Sequence, residues 1–227
     1  MGILSIKDRQ ADTVIFDFDG TLAVLNIDFE QMRREIHTLI AAYGIDQAGL
    51  NRPFVLELTG EADRLIGRRQ DDKGPAFRDE AYRLIEEIEI QAAKQGRLFQ
   101  KTKQLLTALE KASVRTGIIT RNCLKAVRTV FPDIDSYCPV LVTREDVHHV
   151  KPHPEQIGLA LEKLGADARR TLMVGDHPLD IETGIRGGTL TAGVLTGKYH
   201  ETDFMAARAD LVLAEAAQLL KYLSPQP

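Results

Sequence analysis

Short apolar runs that alternate with helical patterns restrict what this chain can fold into. VIFDF (14–18), VRTGIIT (114–120), PVLVT (139–143), TLMVG (171–175), LTAGVL (190–195) and DLVLA (210–214) read as strands. Helical patterns lie near 122–131, 154–164 and 178–187, and a last one at 214–222 closes the chain. Strands separated by single helices require right-handed crossovers, so the expected class is α/β: a doubly wound parallel sheet covered on both faces. Ligands of such sheets collect beyond the carboxyl ends of the strands. That rule sets Asp17, Thr120 and Asp176, each at or just past a strand end, along one rim.

One segment breaks the alternation. Residues 25–95 contain no convincing strand and read as an inserted α-helical cap, leaving 1–24 and 96–227 as the core. Asp28 followed by Gln31 resembles a capping box, and Phe29, Met32, Ile36, Leu39 and Ile40 then repeat at helical spacing until Gly44. A second helix is expected within 53–68. A third runs through AFRDEAYRLIEEIEIQAAK with Phe77, Ala81, Leu84, Ile85 and Ile88 on one face, and QDDKGP (70–75) reads as the turn before it.

Composition excludes several classes of function. Among 227 residues, 44% are hydrophobic and 27% charged, enough for a sizeable core. A formal net charge of -4 argues against broad attraction to nucleic acid. No apolar run is long enough to span a membrane, and MGILSIKDRQ lacks the apolar core of a signal peptide. Cys123 and Cys138 form no disulfide framework or zinc spacing. The expectation is a soluble cytoplasmic protein with reduced thiols.

Two carboxylates, Asp17 and Asp19, follow directly on a buried strand, and like charges there need a cation beside them. Hard oxygen ligands without a Cys or His partner favour Mg²⁺ over zinc. DFDGT (17–21), TRN (120–122), KP (151–152) and GDHPLD (175–180) together resemble the four ordered motifs of the haloacid dehalogenase superfamily, over the whole chain. The resemblance implies a Rossmann-like core with a helical cap and an enzyme that hydrolyses phosphomonoesters of small metabolites. It makes Asp17 the nucleophile that forms an aspartyl-phosphate, and Asp19 the acid and then the base. The metal is then held by Asp17, the main-chain carbonyl of Asp19, and Asp176. Thr120 and the Asp19–Gly20 turn with Thr21 meet phosphoryl oxygens, Lys151 supplies a fixed cation, and Asp180 orients Lys151 or a metal-bound water.

Asp19 and the GDxxxD pair favour phosphoryl transfer over dehalogenation, which needs neither an acid at that position nor a metal. The nearest resemblance is to the phosphoglycolate phosphatase-like set, from which the chain departs at His177 and in its LNIDFEQMR entry to the cap. A sugar phosphomutase is the alternative, and a non-catalytic regulatory protein on the same scaffold a more distant one. Arg121 and Asn122 flank the phosphate position; Asn122 is also a candidate helix cap, as is His177. Arg52 and the Arg68–Arg69 pair are the cap arginines expected to meet a second anionic group of the substrate. His148, His149 and His153 surround Lys151 but match no standard zinc spacing, and GVLTGKY (193–199) is one residue short of a phosphate loop and reads as a turn.

Overall fold

The structure, a computed structural model, describes residues 2–50, 52–69 and 73–225. The chain divides into two units, Met1–Leu25 with Gly96–Pro227, and Asn26–Gln95. Strands β1 (Gly2–Ile6), β2 (Arg9–Ala11), β3 (Thr13–Phe16) and β4 (Ala23–Val24) open the first unit. Helices α1 (Phe29–Ala42), α2 (Val55–Arg69) and α3 (Lys73–Ala93) form the second. The first unit resumes with β5 (Arg97–Leu98), α4 (Thr102–Lys111), β6 (Arg115–Ile119), α5 (Leu124–Val130), β7 (Val140–Val142) and α6 (Glu155–Leu164). It ends with β8 (Thr171–Gly175), α7 (Pro178–Arg186), β9 (Leu190–Val194), α8 (Glu201–Ala206), β10 (Leu211–Leu213) and β11 (Leu223–Pro225).

Six strands pair in parallel in the order β10-β9-β8-β3-β6-β7. Every residue of β3, β8 and β9 is buried, as a sheet with helices on both faces demands. Ile15, Ile119, Val142 and Met173 of the sheet pack with Ile157 and Ala160 of α6. From β3 the chain goes to β6 and β7 on one side, then crosses back to β8, β9 and β10 on the other. The reversal leaves a crevice at the carboxyl end of β3. Phe16 stands opposite both Ile118 and Val174, so Asp17, Thr120 and Asp176 leave the sheet from three adjacent strand ends.

Several elements differ from the sequence expectation. The N-terminal stretch forms an antiparallel sheet, β11-β1-β2, that buries Ile3, Leu4 and Ile6; its partner strand lies at the far end of the chain, which local pattern cannot show. The helix expected at 214–222 is a 3₁₀ helix, Ala216–Tyr222, tightened because the chain must pass at once into β11. Neither α4 nor α8 had been anticipated. β4 and β5 pair Ala23 with Leu98 and Val24 with Arg97, so the chain leaves and re-enters the first unit side by side. Among the described residues no helix is long and apolar enough to cross a membrane.

In the second unit α1, α2 and α3 pack on one another. Asp28 caps α1 by accepting from the Gln31 amide at 2.8 Å, and Gly44 follows its end at φ 72°, a left-handed conformation that suits glycine. Met32, Ile36 and Ile40 are buried, but Phe29, in the first turn, is 58% exposed. Tyr43 meets Phe77 edge-on at 5.2 Å and donates its hydroxyl to Glu80. Lys73, Gly74 and Pro75 belong to α3 rather than to a turn, since proline in a first turn sacrifices no internal hydrogen bond. Residues 70–72 of that expected turn lie outside the described ones.

Candidate active site

Asp17 continues the β3–β8 ladder one step past the strand, donating its amide to Val174 at 2.8 Å. Its side chain points into a buried cluster. Lys151, 3% exposed, donates from Nζ to Asp17 Oδ1 at 2.5 Å and to Asp180 Oδ1 at 2.6 Å. Carboxylate oxygens of Asp17, Asp176 and Asp180 lie within 4.8 Å of one another. Asp180 also accepts from the His177 amide at 3.1 Å, which fixes it at the start of α7.

One ammonium against three carboxylates leaves a surplus of buried negative charge. Burial, then the charges of Asp17, Asp180 and Asp19, push the Asp176 carboxyl up to about 9. Burial also raises Asp17, to about 6; Lys151 pulls it down only in part, and Asp180 adds to the rise. Burial works against the charge on Lys151, yet Asp17 and Asp180 outweigh it and hold the ammonium above its usual value. An all-oxygen donor set short of positive charge fits a hard dication.

The Asp19 side chain is not part of this group. Its Oδ1 accepts from the Leu25 amide at 2.9 Å, and its charge raises the Asp176 carboxyl. Gly20 has φ 86° and lies so close to Asp176 that a Cβ would strike the carboxylate, so the turn tolerates only glycine here. The Gly20 and Thr21 amides are engaged inside the turn, to Ala23 and Phe18, while the Thr21 hydroxyl reaches Asp176 at 3.4 Å.

Thr120 is fully buried; its hydroxyl donates to Asn122 Oδ1 at 2.9 Å and accepts from the Asn122 amide. Asn122 therefore braces Thr120 and is not the helix cap, which is Cys123 through its sulfur. Arg121 donates to the Lys151 carbonyl at 2.8 Å. His177 does cap α7: its Nδ1 accepts from the Leu179 amide at 3.0 Å. Burial, with Lys198, Lys151 and Arg121 nearby, lowers its pKa to about 4, so the ring is neutral. The proton then sits on Nε2, which donates to the Tyr199 oxygen 2.9 Å away.

Three features of the site escaped sequence reasoning. Gln156, fully buried at the start of α6, accepts from the Lys151 amide at 3.0 Å and donates to the carbonyls of Thr120 and Thr143. It ties the lysine loop to two strand ends. Thr196 donates to the Gly20 carbonyl, and Gly197 lies against the Asp176 carboxylate, so the dismissed 193–199 turn is a wall of the site. Tyr199 belongs to the same loop. Only long-range proximity gives these residues meaning.

In the second unit the guanidinium of Arg52, expected to meet a substrate anion, donates to Glu61 by two bonds, 2.6 and 3.2 Å. Arg68 is exposed on α2. The side chain of Arg69 lies outside the described residues.

A parallel sheet whose switch point carries a buried lysine among three carboxylates defines an α/β protein with a polar site suited to an anionic group. Residues 14–194 match the model of the haloacid dehalogenase-like hydrolases. Pyrophosphatase PpaX of Bacillus cereus (strain AH820) is 30% identical over 224 residues, covering 94% of this chain and 96% of the relative. The chain belongs to the haloacid dehalogenase-like hydrolase family and is a phosphatase enzyme. A solved structure from Bacteroides fragilis, described as a haloacid dehalogenase-like hydrolase, superposes with a TM-score of 0.68 at 25% identity, covering 92% of this chain and 99% of the other. Another, from Haemophilus somnus 129PT and assigned as a phosphoglycolate phosphatase, shares the fold with a TM-score of 0.63 at 20% identity, over 93% and 97% of the two chains.

Proposed function

We propose that this protein hydrolyses a small phosphorylated metabolite through a phosphoryl group carried transiently on Asp17, with Mg²⁺ bound among Asp17, Asp176 and the Asp19 main-chain carbonyl. The buried surplus of negative charge around Asp176 is the observation that carries this reading. Bound there, Mg²⁺ would neutralise charge on the transferring group.

The chain's own residues do the rest. An Asp17 oxygen attacks phosphorus in line, the P–O bond to the leaving group breaks, and Asp19 protonates the departing alkoxide. Asp19, now a base, takes a proton from the water that attacks the aspartyl-phosphate; inorganic phosphate leaves and Asp17 is restored. Lys151 keeps Asp17 anionic and pairs with the phosphoryl charge. Asp180 and Gln156 hold Lys151 at its two ends, ammonium and amide. The Thr120 hydroxyl would exchange Asn122 for a phosphoryl oxygen.

Pyrophosphate, suggested by the relatives' name of pyrophosphatase, stands beside small-acid phosphoesters such as phosphoglycolate as a candidate substrate. The two differ in leaving group: phosphate is a far weaker base than an alkoxide and needs less help from Asp19. Asp19→Asn should therefore cost an alkyl phosphate substrate more than pyrophosphate. Free buried thiols at Cys123 and Cys138 support a reducing, cytoplasmic setting. The test is phosphate release from a panel that contains pyrophosphate, phosphoglycolate, an aryl phosphate and a hexose monophosphate. Asp17→Asn should abolish every activity of the wild type. Turnover retained in that variant would remove Asp17 as nucleophile.

A further inference from the structure

The loop that delivers Lys151 carries a second group of ligand-type side chains. His149 and His153 lie on either side of Lys151 in the chain, and Glu155 opens α6. Folding brings them together. His149 Nδ1 is 2.9 Å from Glu155 Oε2, His153 Nδ1 is 3.9 Å from the same oxygen, and the two rings face each other with centroids 4.6 Å apart. One ligand atom of each residue lies within 4.8 Å of the others, in a group separate from Asp17, Asp176 and Asp180.

We propose that His149, His153 and Glu155 form a site for a divalent transition metal of the zinc, cobalt and nickel class. Two imidazoles and a carboxylate are the donor set such ions prefer, whereas hard dications prefer the all-oxygen cluster beside Asp17. Ligand atoms around a tetrahedral ion with bonds of ~2.1 Å stand roughly 3.4 Å apart. The observed separations of 2.9 and 3.9 Å bracket that value, so small side-chain rotations close the site. Glu155 is already fixed, because its two oxygens accept from the His148 and His149 amides at 2.8 and 3.0 Å. The Glu155 amide donates to His153 Nδ1 at 3.3 Å, a long contact that an ion bound through that nitrogen would displace. His149 and His153 are 66% and 50% exposed, so an ion reaches them from solvent and keeps water in its remaining position.

Cobalt(II) is the probe, titrated into the full-length protein with Mg²⁺ in large excess and followed by its visible ligand-field absorption. The wild type should take up one equivalent with a spectrum typical of nitrogen ligation, insensitive to Mg²⁺. The double variant His149→Ala with His153→Ala should bind at least ten-fold more weakly, while its circular dichroism spectrum without transition metal stays that of the folded wild type. Absence of cobalt binding in the wild type, equal affinity in the double variant, or displacement of the cobalt by Mg²⁺ would each overturn the proposal.

Discussion

Lys151 shows how one residue is specified from several directions. It is buried, and a buried ammonium needs partners. Asp17 and Asp180 supply them from the end of β3 and the first turn of α7. Removing the cation leaves two carboxylates facing each other without compensation, which typically costs ~3–5 kcal/mol. Lys151→Met should accordingly lower both stability, by denaturant unfolding, and kcat, by roughly 10²–10³-fold. Added Mg²⁺ should restore part of the stability and little of the rate, because a dication replaces the charge but not the contact with Asp17. Cys138 is the contrasting case: burial pushes its thiol up to about 11, and it serves only the core.

At the scale of elements, the site depends on how strand ends are tied to the helices after them. Gln156 links the Lys151 loop to the carbonyls of Thr120 and Thr143 with three buried hydrogen bonds. Gln156→Leu would leave those groups unsatisfied at ~1–3 kcal/mol each before relaxation. The expected result is a fall in melting temperature together with a lower kcat, and normal kcat in that variant would show that the loop holds Lys151 without it. The α1 cap, the apolar spacing of α3 and the proline-led start of α7 were all legible in the sequence, because each is a local pattern within one turn of helix. The 3₁₀ turn before β11 was not, because the constraint that tightens it comes from β1.

For the whole molecule, the surplus carboxylate charge makes stability depend on pH and metal. Asp17 and Asp176 have native pKa values raised to about 6 and about 9, so the metal-free native state keeps protons that the unfolded chain has already lost. Stability then falls as pH rises, from about 4 up to about 9, by on the order of 1 kcal/mol per pH unit. Mg²⁺ takes the place of those protons and should flatten the slope. Melting temperatures in a chelator across that pH range, with and without Mg²⁺ restored, measure the effect. A flat metal-free profile would contradict the charge balance described for the cluster.

The parallel α/β class, the rim on which Asp17, Thr120 and Asp176 stand, and the family were all legible along the chain. Alternating apolar runs and motif spacing are local properties, and topology follows from them through the handedness of crossovers. Tertiary structure alone decided which groups share a space. It turned the Asp19 carboxylate toward Leu25 and drew the Asp180 carboxylate up beside those of Asp17 and Asp176. It also put Gly197 against Asp176 and folded His149 and His153 onto Glu155. Contacts of that kind join residues by the positions of whole elements, and no periodicity along the chain encodes them.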